Sequence, residues 1–379
     1  MKKFLLFVIT VGLAYLTAFY TTGKEKGYQN PFNFSWVDSL SFDFYEETDL
    51  EKVDSFSDID DPNMRAGYEY FQKGSYYAAI NEFSTAMENP NVLVDANVMT
   101  ARCYIEQDSP LLAVTYLETA LSADNKCGEA YYYKGKINYD QGNYSSAVED
   151  LYMSSELGYQ TKEVYYYLSK AYEENDNKAG ALDAALMALG VDSLYTDALF
   201  QTGRMYYKAE QYAASADMYS RYLVIDPDDK YSVLNRGLCY DNLGKSDSAL
   251  LDYNRVIEID PDYSLAYNNR GYYFYEQGEY KKALKDYDKS ILLDQNHERP
   301  YWNRASLLYK MKLYNRAIAD YKKLYEINAY NYSALYYAAQ SYEQLNEFKK
   351  AKEYYQKYID TGVSEGTKKA DARLKINKL

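Results

Sequence analysis

The sequence predicts an all-α solenoid of tandem helix–turn–helix units, and three columns of residues predict it. From Gly67, steps of 34 residues land on Ala101, Gly135, Ser169, Gly203, Gly237, Gly271, Ala305 and Ala339, nine small residues with no insertion or deletion between them. Twelve residues after each comes Ala79, Ala113, Ala147, Ala181, Ser215, Ala249, Ala283, Ala317 or Ala351. Sixteen after the small column the chain is often large, with Phe83, Tyr219, Tyr253, Tyr287, Tyr321 and Tyr355. Small residues let two helices approach, and large ones fill the space beside them.

Each unit is justified in chain order. The first helix carries a large residue three after the small column, as at Tyr70, Tyr104, Tyr172, Tyr206, Tyr240 and Tyr342. Four positions later Gly74, Gly142, Gly244 and Gly278 mark a turn, because glycine takes positive φ at little cost. The second helix follows with its alanine column. Asp226-Pro227-Asp228 and Asp260-Pro261-Asp262 end one unit and begin the next, since proline cannot continue a helix and aspartate is expected to cap the one that follows.

This pattern resembles the tetratricopeptide repeat, a 34-residue antiparallel helix pair with a small residue in its first helix, alanine in its second and proline at the junction. The resemblance covers residues 60–365 as nine units and implies a right-handed superhelix whose concave face is lined by first helices. Repeat 4 departs most, with Asp176 in place of the turn glycine and Ala185 in place of a large residue, so looser packing is expected there.

Outside the array, residues 1–23 begin with Lys2 and Lys3, run uncharged and apolar from Phe4 to Tyr20 and end in Thr21-Thr22-Gly23. That reads as an export signal, or as a retained membrane anchor through residues 4–20, and places the body outside the inner membrane, in the periplasm or secreted. Residues 24–59 mix Phe32, Phe34, Trp36, Phe42, Phe44 and Tyr45 with many acids and hold no regular period. They read as a spacer, or as an acidic ligand in which residues 38–58 dock on this protein's own groove or on a partner. Residues 366–379, basic with Ala370, Leu374 and Ile376, read as a capping helix over the last repeat.

The formal charge of −14 argues against a nucleic-acid partner. Many of the 50 tyrosines sit in packing columns, so their number is not itself a sign of binding. His297 is the only histidine, no glycine-rich phosphate loop occurs, and no carboxylates pair in an apolar setting. These features support no catalytic residues, no metal site and no cofactor. Cys103 and Cys239 fall inside first helices where a small apolar residue is expected, and Cys127 has no evident disulfide partner.

Two constellations stand out. One residue before the small column lie Lys134, Arg236, Arg270 and Arg304, and in the same four repeats, fifteen after it, lie Asp150, Asp252, Asp286 and Asp320. The match predicts a charge-assisted hydrogen bond between the two helices of each of these repeats. The second follows from the resemblance, which places on the groove the residues six, three and two before the small column and one and four after it. One after that column come Arg102, Lys136, Lys170 and Arg204, a cationic ladder flanked by Tyr132, Tyr133, Tyr139, Tyr166, Tyr167, Phe200 and Tyr207. Asp61, Asp95, Glu129, Glu163 and Asp197 stand near the starts of the same helices, and Glu173 and Glu174 add charge in repeat 4, so the ladder reads either as a ligand site or as a self-compensated face.

Asn235, Asn269 and Asn303, two before the small column, offer donors and acceptors to an extended backbone. Their Asn-Arg-Gly and Asn-Arg-Ala segments are similar to those of co-chaperone repeats. Phe200, Leu234, Asn268 and Trp302 stand where a carboxylate clamp of that kind needs lysine, so such a clamp is not expected. The expectation is an exported, non-enzymatic scaffold whose groove holds an acidic or carboxylate-bearing peptide of a protein partner. The alternatives are a structural part of an envelope assembly working through its convex or edge surfaces, or a glycan-binding face.

Overall fold

The structure, a computed structural model, describes residues 60–361 and 366–379. The expected export signal or anchor, the acidic linker and its self-docking stretch lie outside the described residues. What is described is a helical repeat solenoid of nineteen helices with no strand. Nine pairs make up the array. They are Pro62–Gln72 with Tyr76–Ala86, Leu93–Glu106 with Pro110–Ala123, Gly128–Asp140 with Tyr144–Glu156, Lys162–Glu174 with Lys178–Val191, and Thr196–Lys208 with Tyr212–Ile225. Lys230–Asn242 with Ser246–Ile259, Ser264–Glu276 with Tyr280–Leu293, Glu298–Lys310 with Tyr314–Ile327, and Tyr332–Gln344 with Phe348–Asp360 complete it. A last helix, Thr367–Lys378, buries Ala372 against Tyr336, Tyr355 and Tyr358 of repeat 9.

The small column exists because the residue sixteen later lies against its backbone. A methyl added at Gly67 would meet the Phe83 ring at 2.3 Å, and one at Gly271 the Tyr287 ring at 2.8 Å. Phe83, Tyr219, Tyr253, Tyr287 and Tyr355 are accordingly among the most completely buried side chains, and the phenols of Tyr253 and Tyr355 donate to Asp241 (2.5 Å) and Glu343 (2.8 Å) at the end of the first helix.

All nine within-pair turns place the residue seven after the small column at positive φ. Glycine does so at Gly74, Gly142, Gly244 and Gly278, but Asp108, Asp176, Glu210, Lys312 and Asn346 adopt the same conformation at φ 53 to 63°. Packing of the flanking helices therefore imposes a left-handed residue whatever its type.

Repeat 4 does not pack loosely. Its helices meet as closely as those of any pair, because Ala181, Ala184, Ala185 and Ala188 are all buried and the Ser169 hydroxyl donates to the Ala181 carbonyl at 2.7 Å. Small residues on both helices draw the backbones together where a tyrosine would hold them apart. The junction caps also differ from expectation. Asp229 rather than Asp228 caps repeat 6, accepting from the Ser232 amide at 2.7 Å, and no side chain caps the first helix of repeat 7, while Asp226 and Asp260 bond the junction backbone instead.

The four predicted ion pairs all form. Lys134 reaches Asp150 at 3.1 Å, and Arg236, Arg270 and Arg304 bind Asp252, Asp286 and Asp320 through two hydrogen bonds each, of 2.6 to 2.9 Å. The aspartates are almost wholly buried. Donating hydrogen bonds to Asp252 and Asp286 raises the pKa values of Arg236 and Arg270 further, so these guanidinium groups are permanent cations.

Candidate functional site

First helices of successive repeats touch one another along one stripe, and the ladder lies on it. Arg102 stacks over Phe71 of repeat 1 (5.1 Å to the ring centroid) and Tyr133 of repeat 3 (5.4 Å), and approaches Glu129 at 3.6 Å. Lys136 stands over Tyr167 at 5.5 Å. Lys170 sits in a cage of Tyr139 (4.6 Å), Tyr166 and Tyr167 (both 5.4 Å). Arg204 instead bonds Glu173 at 2.5 Å, a carboxylate it shares with Lys208 at 2.9 Å. Partial burial works against that carboxylate, but Lys208 and Arg204 outweigh it and hold the Glu173 pKa below its ordinary value.

The ladder is thus compensated at its ends and bare in its middle. Among the described residues Lys136 and Lys170 form no ion pair, and both lie against tyrosine rings, Lys170 sharing a cavity with Asp197 and Asp229. Of the acids near the helix starts, Glu129 alone reaches a ladder residue. Asp61 is used as a cap, accepting from the Asn63 and Met64 amides. The tyrosines pack as a continuous cluster. Tyr132, buried, lies against Tyr133, Tyr159 and Tyr167, and Tyr139 and Tyr166 each meet Tyr167. Burial pushes the Tyr133 and Tyr139 phenols up to about 12, so these hydroxyls remain donors. Tyr207 accepts from Asn242 of repeat 6 at 3.3 Å.

The asparagines divide. Asn303 donates to Asn268 at 2.9 Å, and Asn268 donates to Asn269 at 3.1 Å, so two of the three column residues belong to a row of amides spanning repeats 7 and 8. Asn235 is half-buried, and its side chain forms no hydrogen bond among the described residues. Sequence reasoning missed a fourth amide in this column, Gln201 of repeat 5. It is 5% exposed, and neither amide atom has a hydrogen-bond partner. It stands beside Glu173 and helps hold that carboxyl below its ordinary value. Gln201 borders a cavity of about 440 Å³ lined also by the cations Lys170 and Arg204, the carboxylates Asp197 and Asp229, and the rings of Tyr166, Phe200 and Tyr231. The column spacing that found the asparagines was the signal available for it.

No group of three ligating side chains occurs among the described residues, and Cys103 and Cys239 are buried, with burial pushing the Cys103 thiol up to about 12. No described helix is long and apolar enough to cross a membrane.

Models of the tetratricopeptide repeat match residues 98–154, 166–230, 234–263, 264–297, 298–331 and 333–361, most of the array. The chain belongs to the tetratricopeptide repeat family. As a tetratricopeptide repeat protein it is similar in fold to the C-terminal part of a repeat protein from Cytophaga hutchinsonii, at 18% identity and a TM-score of 0.52 over 63% of this chain and 98% of that one. A repeat protein from Parabacteroides merdae aligns at 16% identity and a TM-score of 0.46, covering 68% of this chain and 98% of that one. YrrB, described as having an unusual peptide-binding site, aligns at 21% identity and a TM-score of 0.45 over 48% of this chain and 95% of that one. No curated protein matches the sequence. Tetratricopeptide repeats typically form non-enzymatic protein–protein interaction scaffolds, and the general kind of partner is a protein or peptide.

Proposed function

We propose that this protein is an exported scaffold whose first-helix groove binds an extended peptide segment bearing carboxylates. The observation that carries the reading is the pair Lys136 and Lys170, cations held over tyrosine rings and joined to no carboxylate by an ion pair among the described residues, in a protein of formal charge −14. A cation on an aromatic platform is less hydrated than one in water, so an incoming carboxylate gains more from it. Gln201 supports the same reading. A buried amide with two unmade hydrogen bonds costs stability, and a peptide backbone passing over it would supply one donor and one acceptor. Arg102 and Arg204, each held by a carboxylate, bound the pair on either side, Tyr132, Tyr133, Tyr139, Tyr166, Tyr167 and Tyr207 form the bed, and Asn235, Asn269 and Asn303 continue it along the next repeats.

The test is capture of partners from native envelope extract by the full chain and by a Lys136→Glu, Lys170→Glu variant with unchanged helicity and melting point. The reading expects a partner retained by the parent, released by moderate salt and lost by the variant. Equal capture by both would move the contact to the second helices, where Tyr152, Met153, Leu186 and Met187 of repeats 3 and 4 are exposed and would suit a structural role in an assembly. Export rests on residues 1–23, and N-terminal sequencing of the protein from cells distinguishes cleavage from anchoring. Regulation by residues 38–58 expects that deleting residues 24–59 raises partner affinity.

A further inference from the structure

Between the second helices of adjacent repeats runs a slot floored by the first helix of the later repeat. In repeat 7 the slot holds Arg270, whose guanidinium binds Asp286 of its own repeat and, through Nη1, Asn254 of repeat 6 at 2.9 Å. In repeat 8 Arg304 binds Asp320 and reaches back to Asp288 of repeat 7 at 2.5 Å. One period later all three positions change. Ala338 replaces the arginine, Tyr354 the aspartate of the same repeat, and Lys322 the acid of the preceding one.

A methyl group cannot fill the space of an arginine, and a cleft of about 930 Å³ opens between repeats 8 and 9. Ala334, Leu335 and Ala338 line its floor, and Tyr321, Tyr325 and Tyr354 its walls. That volume falls in the range of roughly 300–1,000 Å³ that small-ligand sites occupy. The charge has also reversed. Lys322 borders the cleft with its ammonium 5.6 Å from the Tyr354 ring and 5.8 Å from the Tyr342 ring, and it pairs with no carboxylate among the described residues. The other cation there, Lys357, is bound to Glu353 at 2.8 Å.

We propose that this cleft is a second binding site, separate from the groove, for an acidic peptide segment of a partner protein. One carboxylate of that segment pairs with Lys322, and a neighbouring apolar or aromatic side chain enters the slot that arginine fills in repeats 7 and 8. Glu326 and Asp360 on the lining oppose a multiply charged group such as a phosphate, and the single unpaired ammonium matches a single carboxylate.

The test is fluorescence anisotropy of the full chain with labelled hexapeptides, each carrying one glutamate flanked by Phe, Tyr or Leu, beside counterparts with glutamine. The comparison is made in a Lys136→Glu, Lys170→Glu background, which removes the groove's cations so that the cleft alone is read. Lys322→Glu added to it removes the cleft's cation. Ala338→Arg with Tyr354→Asp and Lys322→Asp added to it rebuilds the arginine plug of repeat 8, and because it refills the space its melting point is expected to match or exceed the background's. The expected result is binding of a glutamate peptide by the background protein, at least about tenfold weaker with Lys322→Glu or with the plug, and weaker for the glutamine counterpart. The proposal is overturned if no peptide binds the background protein, or if the plugged protein binds as the background does. Binding by the parent that is absent from the background would assign the peptide to the groove, overturning this site and supporting the other.

Discussion

Repeats 2 to 5 and repeats 6 to 8 both carry cations near the small column of the first helix, and an offset of two residues decides what each cation does. Two residues turn a side chain roughly 200° around a helix. One before the column, Arg236, Arg270 and Arg304 point back into their own repeat and are spent on buried aspartates. One after it, Lys136 and Lys170 project onto the stripe where first helices meet, lie against rings and form no ion pair among the described residues. Repeat 3 contains both arrangements in a single helix, with Lys134 bound to Asp150 and Lys136 over Tyr167. The same residue type is therefore a structural bolt at one position and an available charge at the other.

The largest effect expected from this contrast is on the bolts. Arg270→Ala should destabilise its neighbourhood by about 2–3 kcal/mol, since Asp286 is left buried without a partner, whereas Arg270→Leu with Asp286→Leu should cost clearly less than the sum of its two single changes. Amide hydrogen exchange in repeats 6 to 8 measures this better than a global melt, because repeat arrays need not unfold as one unit. Next comes Gln201→Leu, which removes two unsatisfied polar atoms. A gain of about 1 kcal/mol is expected in denaturant unfolding, together with weaker partner capture. A loss of stability would mean that the amide is already satisfied and is not waiting for a ligand.

Glu210→Gly should stabilise repeat 5 by up to about 1 kcal/mol, because glycine carries no steric penalty at φ 59°. Acid should affect the first repeat through Asp61. Asn89 and the Met64 amide hold its carboxyl below the ordinary value, so the stability it confers is fully present above about pH 4 and lost as pH falls through the depressed folded value. Asp61→Asn should flatten that acid limb in a pH series of exchange rates. The smallest effect is expected at the free cations, where Lys136→Ala should change stability by less than about 0.5 kcal/mol. A larger loss would show that the charge is structural after all and would erase the distinction between the two halves.

What the sequence made legible was whatever repeats as a presence. The helix pairs follow from three columns, and the four ion pairs follow from acids and bases that occur together across repeats. What escaped was set by geometry between columns or by a missing residue. Glu173 was legible as a counter-charge to the ladder, but its pairing with Arg204, 31 residues on, is set by how the fourth and fifth repeats meet. Asp108, Glu210 and Lys312 at positive φ have no glycine to announce them. Repeat 4 was expected to pack loosely because a large residue is missing, yet alanine against alanine brings its helices together. The cleft at Ala338 is visible only once Arg270 and Arg304 are seen to plug its counterparts.

Arg304 reaching back to Asp288, as Arg270 reaches back to Asn254, has a consequence for length. Strong contacts join only helices that are neighbours along the chain or first helices of successive repeats, so excising residues 264–297 would set Arg304 opposite Asn254, the very acceptor Arg270 uses. The join would be made of partners already tried against each other. The middle of the molecule is then a ruler graduated in single repeats, and removing or duplicating one graduation would change the distance between the caged lysine of repeat 4 and the open cleft of repeat 9 while leaving both ends as they are.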